Sequence, residues 1–331
     1  MRTPARVEVI GGGPAGSSAA LAALAQGSQV TLFEQSSFPR HKVCGEFLSP
    51  EIAPLLDSLG LMRAFEAAGP ARIVRAVLHT GGREKHFRLP EPAYSLSRCA
   101  LDALLLGEAQ ARGARLHTER AKPLARADTA LVLAHGRQAP ARAGARFFGF
   151  KAHFRPPAAL SLEEAVELFF FEGGYAGLST IEHGTWNVCG LAPEEALRAA
   201  EFHPERLLPE RLLVRLAPCE RAFEWLTTGP LVFRNEFREH ADFYLAGDAL
   251  GFVDPFTGSG ILSALLTGKL AGEAASQGRA RAEYYGECRR TLARQYRFAS
   301  ALRGLLGAGF AQSVARFVPG RLLYRLTRPR V

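Results

Sequence analysis

The hexapeptide Gly11-Gly12-Gly13-Pro14-Ala15-Gly16 constrains this chain more than any other feature. It directly follows Val7-Glu8-Val9-Ile10, which reads as a buried parallel strand, and opens an Ala/Leu-rich helical stretch over 14–26. In that context G-x-G-x-x-G is a dinucleotide-binding turn. Gly11 makes the tight bend, Gly13 lets backbone approach a diphosphate, and Gly16 allows the helix to close on the strand. Pro14 and Ala15 begin the helix, whose free N–H groups and positive dipole end face the phosphates. A second strand, Gln29 to Glu34, completes a β-α-β unit. Glu34 stands 18 residues past Gly16. A carboxylate there accepts hydrogen bonds from ribose hydroxyls and repels a 2′-phosphate, so FAD or NAD is favoured over NADP.

A second glycine-rich turn lies far along the chain. Leu245-Ala246-Gly247-Asp248-Ala249 reads as the end of a buried strand, and Val253-Asp254-Pro255-Phe256-Thr257-Gly258-Ser259-Gly260-Ile261 leads into a helix over about 259–274. A strand that ends in Asp248 delivers a short acid to the carboxyl edge of the sheet, where it can bond a polyol such as ribityl. The helix start at Gly258, Gly260 and Ile261 can stabilise negative charge on a reduced ring. A dehydrogenase that uses only NAD has no need of this second element.

Between the two turns the texture changes. A loop runs from Ser36 to Pro50, helical pattern covers 51–68, strand candidates lie near 73–79 and 84–89, and a helix spans about 98–112. Runs at 147–154, 166–171, 175–181 and 186–191 then suggest an antiparallel sheet, interrupted by a helix-like segment at 204–216. The expected fold is α/β. An FAD-binding Rossmann-like domain of the glutathione-reductase type comprises 1–72, 97–143 and 241–275. An antiparallel-sheet substrate domain (73–96 and 144–240) is inserted into it, and 276–331 forms a basic helical C-terminus.

Four segments resemble FAD-dependent aromatic hydroxylases and geranylgeranyl reductases. They are Gly11–Gly16, the loop Phe38-Pro39-Arg40-His41-Lys42-Val43-Cys44-Gly45-Glu46, the helix start Ser97-Arg98-Cys99-Ala100-Leu101-Asp102, and Gly247 through Ile261. The Lys42-x-Cys44-Gly45-Glu46 loop is closer to the reductase branch. The resemblance implies that Ala15 and Glu34 sit at the AMP half, with Gln35 and Arg40 also among the cofactor-binding residues. It implies that Cys44 and Gly45 lie by the flavin ring and ribityl chain, that Arg98 approaches the diphosphate, and that Asp248 binds ribityl. Backbone of Gly258, Gly260 and Ile261 would border the isoalloxazine.

The chain departs from the family pattern in mid-sequence. Leu131-Val132-Leu133-Ala134-His135-Gly136-Arg137 carries histidine where the family places an acid before glycine, and Leu116 to Ala130 is short for the usual hairpin. The flavin halogenases on this scaffold need a Trp-rich motif and a lysine; only Trp186 and Trp225 exist here, in unrelated contexts. Cys44 is the candidate catalytic side chain, as a substrate contact or proton donor. Its alternative is a small residue packed near the ring. His41 and Lys42 bind an acidic substrate or are solvated loop charges. Lys151 and His153 alternate in phase, so both point to one face, lining a pocket or forming a sheet-edge pair. Tyr175, after Gly173-Gly174, is a substrate candidate or part of a plain hairpin.

The leading expectation is an NAD(P)H-dependent FAD monooxygenase acting on an aromatic or polyketide-like small molecule. The alternatives are a flavin reductase of C=C bonds in an apolar or lipid substrate, and a degenerate FAD-binding protein. Five scattered cysteines without C-x-x-C argue against a disulfide framework or a metal site. No room for a signal peptide precedes Val7, so a cytoplasmic location is expected. Net charge is +9, yet residues 279–331 hold twelve Arg and two Glu, or +10, leaving −1 for the rest. An Arg-rich tail with Leu302, Leu305, Leu306, Phe310, Val314 and Phe317 at helical spacing suits packing on the body or membrane-surface contact; no nucleic-acid motif accompanies it.

Overall fold

The computed structural model describes residues 5–137, 146–231, 237–252 and 258–293. Its first sheet is all parallel, in the order β14-β7-β1-β2-β6. These strands are β1 (Arg6–Ile10), β2 (Gln29–Phe33), β6 (Arg115–His117), β7 (Thr129–Leu133) and β14 (Tyr244–Leu245). Val7 and Val9 point inward on β1, as a strand buried by helices requires. The sheet thus draws four strands from the first 133 residues and one edge strand, β14, from beyond 240. The link from β6 to β7 holds only the isolated bridge Arg126↔Thr129, so the shortness read in the sequence is real.

Helix α1 (Pro14–Ala25) is built of small residues, and ten of its twelve are buried. Helix α7 (Gly260–Gln277) packs on it face to face. Two glycines set the distance. A Cβ on Gly268 would stand 2.1 Å from the Ala15 carbonyl oxygen, and one on Gly272 would stand 2.2 Å from that of Ala19. The Ser18 hydroxyl donates across the seam to the Leu265 carbonyl at 2.7 Å. A helix at 281–293 then braces β14, with the Tyr284 and Tyr285 hydroxyls donating to the carbonyls of Leu245 and Phe243.

The second sheet has nine strands, in the order β12-β8-β11-β10-β9-β4-β5-β3 with β13 also on β8. They are β3 (Phe47–Leu48), β4 (Ala71–Thr80), β5 (Arg83–Ser95), β8 (Phe147–Arg155), β9 (Ala165–Phe171), β10 (Gly174–Thr180), β11 (Trp186–Pro193), β12 (Glu220–Arg221) and β13 (Leu226–Leu231). The expected antiparallel sheet is in fact mixed, because β4 runs parallel to β9. One face buries Phe150, Ala152, Ala176, Leu178 and Val188 under α5 (Glu194–Ala199) and α6 (Glu210–Leu216). Strand alternation turns Lys151, His153, Asn187, Cys189, Gly177 and Tyr175 to the other face.

Three local expectations change. The helical pattern at 51–68 splits into α2 (Ile52–Ser58) and α3 (Met62–Ala67), because Gly60 sits at φ +66° between them. The pattern at 204–216 becomes a 3₁₀ turn at Pro204–Arg206 and then α6, which starts behind Pro209. Helix α5 follows Pro193 where the sequence suggested none. Helix α4 (Arg98–Ala111) forms as expected, with the Ser97 hydroxyl capping Ala100 N–H at 3.0 Å. The apolar and basic tail residues from 294 onward lie outside the described residues, as do Val253 to Thr257. Among the described residues no helix is long and apolar enough to cross a membrane.

The helix seam yields a test. Alanine raises intrinsic helix propensity by about 1 kcal/mol over glycine. At Gly268 it must still push two backbones apart, and overpacking of this kind costs about 1–3 kcal/mol. Gly268→Ala is therefore expected to lower the urea unfolding midpoint; an unchanged or raised midpoint shows that the helices separate freely.

Candidate functional site

The first glycine-rich turn has the stereochemistry its sequence demands. Gly11 holds φ +107°, and a Cβ there would stand 2.3 Å from the Ala134 carbonyl oxygen. A Cβ on Gly16 would stand 1.7 Å from the Gly11 carbonyl oxygen. Gly13 differs. Its Cβ would enter an opening, 3.7 Å from Lys42 Nζ and 3.9 Å from Arg98 Nη2. It also N-caps α1, Pro14 follows, and no side chain caps the helix. An uncapped helix N-terminus beneath two cations is an anion cradle.

Glu34 closes one end of this cradle. It is buried just past β2, and its Oε2 accepts the Gly12 N–H at 2.8 Å. Its Oε1 accepts the Ser36 N–H at 2.9 Å and lies 3.4 Å from Arg40 Nη2. Gln35 beside it is exposed. A cleft of about 360 Å³ opens there, lined by Ser36, Ser37, Phe38, Leu116 and Thr118 with Ala103 and Gln110 of α4. Its polar rim suits a nucleoside.

Electrostatics ties the second turn to the first. Burial raises the Asp248 carboxyl above its ordinary range, opposed by Arg98, Arg137 and Lys42. Asp248 therefore shares one electrostatic environment with both cations over Gly13. Contact agrees: a Cβ on Gly247 would meet Ala15 Cβ at 2.8 Å. Gly258 holds φ +62° against Phe47, Gly260 faces open space, and Ile261 is buried in the core.

The cations are unequal. Burial alone would lower Arg98, yet the buried Asp102, bonded to its Nε and Nη2 at 2.7 Å each, holds it firmly charged. Burial and the neighbouring Arg98 push Lys42 down to about 8. Lys42 is thus part of the cradle rather than a solvated loop charge.

Cys44 lies at the meeting point. Its Sγ accepts the Glu46 N–H at 3.4 Å and lies beside the Arg98 guanidinium. Its carbonyl accepts from Asn187 Nδ2 at 3.2 Å. Asn187 Oδ1 is buried without a hydrogen-bond partner among the described residues, an acceptor still to be answered. Gly45 has open space where a Cβ would be. Burial pushes the thiol of Cys189, near Cys44, far upward.

Lys151 and His153 do point together, but into the interior rather than along a sheet edge. Both reach Glu46: His153 Nε2 lies 2.8 Å from Oε2, and Lys151 Nζ is bonded to Oε1. Lys151 Nζ also donates to the Lys42 carbonyl at 3.1 Å. His41 lies tilted against Phe223 at 4.4 Å and meets His153 edge-on at 5.1 Å. Burial, with Lys151 and His153 nearby, lowers its pKa. His41 and His153 line an open cleft of about 420 Å³ with Ser97, Cys99, Glu182 and Thr185. Tyr175 shares the sheet face but stands in another row, opposite Leu191 and Phe170. Sequence reasoning assigned Glu46 no role; the in-phase pair Lys151 and His153 was the available signal that an acid waits opposite.

The family described as FAD binding domain matches residues 4–140. That match shows an FAD-binding domain, and the chain is similar to FAD-dependent oxidoreductases. It is an FAD-dependent enzyme. A menaquinone reductase from Mycobacterium tuberculosis (strain ATCC 25618 / H37Rv) is 29% identical over 98% of this chain and 85% of its own. A tryptophan 2-halogenase from Chondromyces crocatus is 36% identical over 34% of this chain. That match spans 22%, about a fifth, of the halogenase. Among solved structures, a flavoprotein/dehydrogenase from Cytophaga hutchinsonii superposes with a TM-score of 0.80 at 19% identity, covering 97% of this chain and 91% of that one. That likeness shows the fold.

The residues present fit FAD. The opening at Gly13 under Lys42 and Arg98 has the charge to take a diphosphate, Glu34 the acceptors a ribose would need, and Asp248 with the open positions Gly45 and Gly260 the space and polarity for a ribityl and ring. The lysine then makes affinity pH-dependent. An anion stabilises its ammonium and raises its pKa on binding. FAD affinity is therefore full below about 8 and declines as pH rises above that value. Lys42→Met is expected to weaken FAD binding about tenfold at neutral pH and to flatten the alkaline decline. Fluorescence titration of the apoprotein measures both; an alkaline decline that persists in the variant assigns it to another group.

Proposed function

We propose that this chain is an FAD-dependent reductase that adds hydrogen across a C=C bond of an apolar, lipid-like small molecule. The observation that carries the reading is the place of Cys44. Its thiol sits where the diphosphate-binding cations meet a sheet face whose rows include Leu168, Leu191, Phe170 and Val166. Beside the polar row of Lys151, His153, Asn187 and Cys189, these side chains form an apolar stretch that suits an apolar substrate. Similarity to a menaquinone reductase along 98% of the chain supports the same reading.

Bound FAD, once reduced, supplies a hydride. The chain's own residues do the rest. The N-terminus of α1, Lys42 and Arg98 would hold the diphosphate, Glu34 the ribose, and Asp248 the ribityl chain. Gly258, Gly260 and Ile261 would serve the ring, and Pro14 and Ala15 open the helix that would face the phosphates. Saturating C=C requires one hydride on one carbon and one proton on the other. Cys44 Sγ holds that proton and regains it from solvent after turnover. NAD(P)H is the proposed electron donor.

A second reading, an NAD(P)H-dependent monooxygenase of an aromatic or polyketide-like molecule, is favoured by one feature. Tyr175 and Phe170 form a tilted ring pair, 6.3 Å between centroids, on the sheet's site-facing side.

Anaerobic, pre-reduced holoenzyme is expected to add two mass units to a prenylated quinone or polyprenyl substrate. Substrate-stimulated oxygen uptake with a hydroxylated product would sink this reading in favour of the second. Cys44→Ala is expected to keep the flavin spectrum and to slow alkene reduction about 10²-fold, the lower range for general acid catalysis. Unchanged turnover of that variant rejects the thiol as proton donor.

A further inference from the structure

Glu46 has no part in the chemistry above, yet several parts of the site meet on it. It is fully buried and holds φ +55°, a backbone region L-residues rarely adopt. Its Oε1 accepts the Arg98 backbone N–H at 2.7 Å, at the first turn of α4, and the Lys151 ammonium from β8. Its Oε2 lies 2.8 Å from His153 Nε2, also on β8. Its carbonyl accepts the Leu96 N–H at 3.2 Å and the Ser95 hydroxyl at 2.9 Å, at the end of β5. Its own N–H donates to Cys44 Sγ. Burial alone would raise this carboxyl, but His153 and Lys151 hold it below the ordinary carboxylate range.

A buried carboxylate is costly to desolvate unless its oxygens are answered. Here the elements that answer also carry cofactor-site groups. Arg98 places its guanidinium by Gly13 and Cys44. Lys151 also donates to the Lys42 carbonyl, which fixes the lysine whose Nζ is 3.7 Å from the Gly13 Cβ position. A surface salt bridge would have none of these consequences.

We propose that Glu46 is the positioning residue of the flavin site: its carboxylate sets Arg98 directly and Lys42 through Lys151, and by anchoring its own loop it sets the backbone N–H that holds the Cys44 thiol. It reaches the reacting atoms only through those three groups. The inference rests on FAD occupying the Gly11–Gly16 cradle.

The test compares wild-type holoenzyme with Glu46→Gln, whose amide must turn an N–H₂ toward one of three donors. Three quantities are read: FAD dissociation constant by fluorescence, iodoacetamide alkylation of Cys44 mapped by mass spectrometry, and melting temperature. The dissociation constant is expected to rise about tenfold and Cys44 alkylation to quicken several-fold in protein that is still folded by circular dichroism. A lowered melting temperature with both other readings unchanged overturns the proposal and leaves Glu46 a structural residue. Lys151→Met, which removes one partner and leaves the loop sequence intact, carries the same test should the first variant not fold. A wild-type protein that takes up no FAD overturns the cofactor reading, and is seen before any variant is made.

Discussion

The seam between α1 and α7 is the constraint on which the rest of the structure depends. Gly268 and Gly272 let the second helix lie directly on the backbone of the first, at Ala15 and Ala19. That approach brings Gly247 against Ala15 and so carries Asp248 to the dinucleotide turn. Bulkier residues at either glycine would hold the two turns apart. The diphosphate and ring halves of the cofactor site would then belong to different surfaces. Cohesion at this seam comes from close atomic contact rather than from large side chains, since α1 contributes mostly alanine and serine.

Charge inside the site is balanced in pairs. Arg98 is matched by Asp102, Lys151 and His153 by Glu46, and Lys42 faces Asp102 at 4.0 Å. Arg98 is already partnered, so it is pre-aligned for an anion at little further loss of side-chain freedom. Lys42, less firmly paired and half-buried, is the member whose charge a ligand changes most. Rigid and responsive cations thus stand side by side over Gly13.

The sequence made the nucleotide half readable because its signals are local. A strand, a glycine turn and a helix occur in immediate succession at 7–26, and the acid closing β2 falls at the expected distance. The strands at 147–193 announced themselves by alternation and aromatic content. What stayed hidden depends on partners far away in the chain. The parallel pairing of β4 with β9 joins residues about ninety positions apart, and no short-range pattern encodes it. Glu46 looks like one more loop acid until β8 brings Lys151 and His153 to it. Lys42 looked solvated for the same reason. Helix α5 is only six residues long, too short for its period to show.

The order of the strands has a consequence for biosynthesis. The nucleotide sheet needs β14 at its edge and α7 over α1, and both follow the whole second sheet in the chain. A ribosome making this protein therefore releases β1, α1 and β2 long before their covering helix exists. The alanine-rich flank of α1 must wait, uncovered, until nearly 280 residues have emerged. Such a nascent chain exposes apolar surface for longer than one whose domains close in turn, and it is a natural client for chaperones. Any truncation that removes α7 deprives the N-terminal unit of its lid, however intact its glycine turn remains.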